Sequence, residues 1–128
     1  MAEWEWVRED LVLALHDEQL VEHGGAAGLR DLGLLQSAMG RPQNLVAYGD
    51  PDAASLAASY AYGIARNHPF TDGNKRTAAV TALLFLELNE CPFNIGEADL
   101  VVMVLALAAG ELSEDEVAGW FRERIVTS

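Results

Sequence analysis

The chain has 128 residues, 51% of them apolar and 22% charged, which is enough to bury one core over 1–128 and too little for two domains. Twenty Asp and Glu against eight Lys and Arg give a formal net charge of −12; this repels polyanions and excludes nucleic-acid binding through a broad basic face as the default. The single cysteine, Cys91, excludes an intramolecular disulfide framework and suits a reducing cytoplasm.

The opening MAEWEWVRED carries acids where a secretory signal would carry bases, so a cytoplasmic location is expected. From Val7 to Glu22, Val7, Leu11, Val12, Leu15 and Leu20 recur at helical spacing against acidic neighbours, predicting an amphipathic surface helix. It should stop at His23-Gly24-Gly25. His16 and His23, seven residues apart, have neither the spacing of a zinc-binding helical pair nor a surrounding Cys/His cluster.

A short helix is expected over Asp31 to Met39, capped by Asp31 and closed by Gly40 and Pro42, with Arg41 to Gly49 as a loop. Asp50-Pro51 reads as the next helix start. That helix should run to about Asn67, and its many alanines invite close approach by neighbours. A further helix from near Gly73 to about Asn89 is apolar on almost every side, as expected of a central element. Glu97 to Ala109 follows the same pattern and closes at Gly110. Neither apolar run, Thr77 to Leu86 or Leu100 to Gly110, reaches the roughly 20 residues that span a bilayer, so both read as buried helices and no membrane association is expected. The pattern S-x-x-E at Ser113 to Glu116 begins the last helix. The expected architecture is all-α, a compact bundle of about six helices.

Between the third and fourth expected helices lies HPFTDGNKRTA, His68 to Ala78. Arg66, Lys75 and Arg76 bring three of the eight basic residues to this neighbourhood. Free amides at Gly73, Asn74 and Lys75, together with the charges of Lys75 and Arg76, make an anion cradle at a helix N-terminus. Like charges there are unfavourable for the helix alone, a conflict that an anionic ligand resolves. Asp72 can take Mg²⁺, which needs only one or two carboxylates besides phosphate and water. His68 can accept a proton from an attacking hydroxyl. Taken singly, each residue has a structural explanation: Asp72 as a cap, His68 bonded to a carbonyl, Phe70 as a core anchor, Lys75 and Arg76 solvated. Their coincidence favours a nucleotide polyphosphate site. The run GNKRT is not a Walker A loop, since the full G-x-x-x-x-G-K-[ST] pattern and a preceding strand are absent.

The loop resembles the Fic/Doc superfamily signature H-x-F-x-[DE]-[GA]-N-[GK]-R, matched by His68, Phe70, Asp72, Gly73, Asn74, Lys75 and Arg76. HGGAAGLRDLGLLQSAMGRPQ (His23 to Gln43) and LALAAGELSEDEV (Leu105 to Val117) are similar to the Doc (death on curing) toxin branch. Adenylylating Fic enzymes typically read G-N-G-R-x-x-R; here Lys75 replaces the second glycine and Ala79 the second arginine. The resemblance implies a toxin kinase that moves the γ-phosphate of ATP to a threonine of elongation factor Tu, and a Phd-type antitoxin partner. It implies His68 as base, Asp72 as Mg²⁺ ligand, Gly73, Asn74, Lys75 and Arg76 as phosphate ligands, and Phe70 as loop anchor. AMP transfer to a protein hydroxyl and a catalytically silent antitoxin-binding module remain the alternatives.

Overall fold

The computed structural model describes residues 3–126. Six helices follow in order: α1 (Glu9–His23), α2 (Leu32–Tyr48), α3 (Ala53–Asn67), α4 (Asn74–Leu88), α5 (Glu97–Ala108) and α6 (Glu114–Arg124). The only extended pairing among the described residues is two isolated bridges, Leu29 with Phe70 and Phe93 with Ile125. The all-α bundle expected from periodicity is the observed architecture.

The axis of the bundle is α3, against which α4, α6 and α2 pack most extensively. Its alanines let the neighbours come close. At Gly63 a Cβ would lie 3.1 Å from the Cα of Ala38, tighter than an ordinary contact, so the close α2–α3 crossing favours glycine there. Helix α4, expected as a central element, forms with α3 the most extensive helix pairing and also packs on α1 and α5, so the α3–α4 loop lies between two central helices. Helix α4 exposes Lys75 and Arg76 in its first turn and Glu87 and Leu88 in its last. Helix α5, by contrast, is not enclosed. Its Leu100, Met103, Val104 and Leu107 are buried, whereas Val101, Val102 and Leu105 are exposed. No described helix is long and apolar enough to cross a membrane.

Two boundaries differ from expectation. Pro42 does not end α2 but lies buried inside it, and the segment expected as a loop is helical to Tyr48. Proline forfeits one helical hydrogen bond, but Leu35, Ala38, Met39 and Pro42 form a continuous buried stripe. Leu45 and Val46 extend it onto the core. Burial along that stripe outweighs the missing bond. Likewise α3 starts after Asp52 rather than Asp50: the Asp52 carboxylate accepts from Ser55 N–H at 2.9 Å and also pairs with Arg122 of α6. A second partner favours the later cap. The caps expected at Asp31 and Ser113 are both present, the latter as a reciprocal capping box with Glu116.

The N-terminal segment is pinned where it crosses the bundle. Trp4, Trp6 and Tyr60 surround Phe85, and Tyr60 Oη accepts from Val7 N–H at 3.0 Å. At the other end, Asn94 N–H donates to Arg124 O and Val126 N–H to Pro92 O, tying the α4–α5 turn to the end of α6.

Candidate active site

Helix α3 ends at His68, which takes a left-handed conformation (φ 51°, ψ 57°). A non-glycine residue there costs on the order of 1 kcal/mol and persists only when its surroundings enforce it. Arg30 supplies the enforcement. Its Nε and Nη2 donate to the His68 carbonyl, and Nη2 also reaches the Asn67 carbonyl at 3.1 Å. The guanidinium thus caps α3 and fixes the backbone from which the His68 side chain projects.

The loop then closes on itself. Phe70 is 1% exposed and anchors it in the core. Phe70 N–H donates to Asn74 Oδ1 at 2.9 Å, and Asn74 Nδ2 donates to the Phe70 carbonyl at 3.0 Å. Both side-chain polar atoms of Asn74 are thus engaged with the loop backbone, which fixes the turn and leaves its main-chain N–H facing no other acceptor among the described residues. Gly73, at φ 79°, forms the turn into α4, a conformation suited to glycine.

A strap from Gly24 to Asp31 runs alongside. Thr71 N–H donates to the Gly28 carbonyl, and the N–H groups of Arg30 and Asp31 donate to the Pro69 carbonyl. The strap is tightly fitted. A Cβ on Gly25 would sit 2.8 Å from Asp72 Oδ2, and one on Gly28 would sit 3.3 Å from Thr71 Oγ1.

These elements border a cavity of about 430 Å³ lined by His68, Thr71, Asp72, Gly73, Asn74, Lys75 and Arg76, with Ala79 of α4 and Val101, Val104 and Leu105 of α5 as its apolar wall. All the residues singled out from the loop line it except Phe70, which faces the core. Arg66 does not belong to it; its guanidinium lies 5.6 Å from the Tyr62 ring centroid instead. Lys75 and Arg76 are exposed and form no ion pair among the described residues. Two cations without an ion-pair partner thus stand at the N-terminus of α4, an arrangement that favours an anion over a cation there.

The Asp72 carboxylate accepts from Gly73 N–H at 2.8 Å and from Ala26 N–H at 3.3 Å. Each oxygen retains acceptor capacity, and the residue is exposed to the cavity, so its donor set suits a hard cation. No three His, Cys, Asp or Glu side chains converge among the described residues. A cation at Asp72 would draw its other ligands from phosphate and water, as Mg²⁺ does.

Local sequence did not point to Arg30, His16 or the strap glycines. Arg30 lies 38 residues before the carbonyl it holds, and His16 lies 56 before the one it touches. The available signal was the run of glycines at 24, 25 and 28, all at positive φ.

The Fic/DOC family model matches residues 6–86. The chain is 38% identical over 112 residues to the protein kinase doc of Escherichia phage P1, an alignment spanning 87% of this chain and 88% of that protein. It is also 42% identical over 84 residues to the toxin Doc of Mycolicibacterium smegmatis, spanning 64% of this chain and 62% of that protein.

Proposed function

Because the chain belongs to the Fic/DOC family, we propose that it is the toxin of a toxin–antitoxin pair, a protein serine/threonine kinase that transfers the γ-phosphate of ATP to a threonine of elongation factor Tu and so blocks translation. The observation that carries this reading is the convergence of His68, Asp72, Lys75 and Arg76 on one cavity at the opening of α4. The two relatives, a protein kinase and a toxin, support the same combination of activity and role.

In this reading the triphosphate lies against the N–H groups of Asn74 and Lys75, with Lys75 and Arg76 balancing its charge. The Gly73 N–H, expected from the sequence to join them, is instead held by Asp72 Oδ1 and shapes the turn. Phosphoryl transfer depends chiefly on positioning and charge stabilisation, which a rigid loop on a helix terminus supplies. His68 takes the proton of the acceptor hydroxyl as that oxygen bonds to the γ-phosphorus. The bond to the β–γ bridging oxygen breaks, and ADP departs with the electron pair. Mg²⁺, held by Asp72 and phosphate oxygens, would offset charge on the leaving diphosphate.

Transfer from the γ rather than the α position rests on Lys75 and Ala79. A lysine in place of glycine crowds the phosphates and adds a cation. Ala79, buried at the cavity wall, offers no charge where adenylylating relatives carry arginine. A Phd-type antitoxin is the proposed partner, with a C-terminal segment folded onto the toxin.

Addition of the protein to a translation extract containing Mg²⁺ and ATP tests this. Protein synthesis should stop with the native chain and continue with His68→Ala. Continued synthesis with both would remove the toxin reading; equal arrest by both would remove His68 as base.

A further inference from the structure

His16 is a histidine with only 3% exposure, on the inner face of α1. Its ring lies parallel to Phe70, with centroids 3.8 Å apart and planes 7° apart. Its Nε2 is 2.8 Å from the main-chain carbonyl oxygen of Asp72. A carbonyl has no proton to give, so Nε2 carries the hydrogen and donates it. Nδ1 stands 3.9 Å from the nearest Asp17 oxygen, beyond hydrogen-bond range.

The bonded carbonyl belongs to the Asp72–Gly73 peptide unit. The N–H of that same unit donates to Asp72 Oδ1 at 2.8 Å. Rotation of this peptide plane would swing the N–H away from the carboxylate and release it. Glycine at position 73 makes such a rotation inexpensive, because glycine populates both signs of φ. Among the described residues the His16 bond alone holds the carbonyl end of the unit, since Asp72 O accepts no main-chain hydrogen bond there.

We infer that His16 is a positioning residue for phosphoryl transfer: by holding the Asp72 carbonyl it locks the Asp72–Gly73 peptide, and thereby the carboxylate and the N–H groups that open α4. The inference rests on the reading of the cavity given above. It is distinct from a core-filling role, which the stack on Phe70 alone would satisfy.

Two substitutions separate the roles. His16→Phe keeps a flat ring on Phe70 and removes the donor. His16→Gln keeps an N–H at similar reach and removes the stack. Transfer rate and the hydrogen exchange of the Gly73 amide are measured in each, with thermal stability as control. The lock predicts that His16→Phe loses about 10- to 100-fold in kcat, as loss of an outer-shell orienting group typically does, and that its Gly73 amide exchanges about tenfold faster or more. His16→Gln should recover most of both. A core-filling role predicts the reverse order, and native exchange and rate in His16→Phe would overturn the inference. If His16→Phe fails to fold, His16→Gln decides alone: Gly73 protection near native supports the lock, and its loss overturns it. Absence of γ-phosphate transfer by the native chain would sink the kinase reading, while the Gly73 amide would still report on the lock.

Discussion

Asn74 and Phe70 are joined by a reciprocal pair of hydrogen bonds, Phe70 N–H to Asn74 Oδ1 at 2.9 Å and Asn74 Nδ2 to the Phe70 carbonyl at 3.0 Å. The pair turns a short connection into a closed ring, buried on the Phe70 side and open to the cavity at Thr71, Asp72 and Gly73. Asn74 thus serves the site by shaping the loop, with its side chain turned inward.

Replacing Asn74 by Ala should leave the Phe70 N–H and carbonyl unpaired in a buried setting, at a cost of about 2 kcal/mol or more. Chemical denaturation measures the cost, and transfer activity should fall with it even though no charge has been removed. A stability change under about 0.5 kcal/mol would show that the ring is dispensable.

Gly24 and Gly25 should respond differently to alanine. At Gly25 (φ 124°) the new Cβ would collide with Asp72 Oδ2, whereas at Gly24 (φ 76°) it would meet no heavy atom within 4 Å. Both substitutions strain the backbone by about 1–3 kcal/mol. Only Gly25→Ala displaces the carboxylate. It should raise the Mg²⁺ concentration needed for half-maximal rate, and Gly24→Ala should not. Equal Mg²⁺ dependence in the two variants would contradict the placement of Asp72.

Much of this arrangement is legible in the amino-acid sequence, and the parts that are not have a common cause. Caps are local: Asp31 and Ser113 announce helices through bonds to residues three positions on, and both are present. The loop is local too, since its charges, glycine and asparagine lie within one turn of each other. Pro42 and Asp50 mislead because the deciding contacts are distant. A stripe packed on α3 carries α2 past the proline, and Arg122, 70 residues away, favours Asp52 as the cap. Arg30 and His16 are equally invisible locally, because each reaches a loop carbonyl from a different element.

Asp52 combines a helix cap with an ion pair, and the two can be separated. The hydrogen bond from Arg122 holds its carboxyl well below the ordinary value of 3.8. A depressed folded-state pKa contributes stability that is present above the unfolded value and lost as pH falls below it. The contribution should therefore fade as pH drops under about 4. Both partners are half exposed, so the pair is worth at most about 1 kcal/mol. Asp52→Asn, which still caps, should lose about that and flatten the acid limb, while Asp52→Ala should lose about 1 kcal/mol more. Equal stabilities for Asn and Ala at pH 7 would remove the capping role.

The most direct test of the central claim uses Mg²⁺–ATP labelled at either the α or the γ phosphorus, with elongation factor Tu as acceptor. The account predicts label on a threonine of the acceptor from the γ position alone, abolished in His68→Ala. Label from the α position alone would contradict it and identify the chain as an AMP transferase.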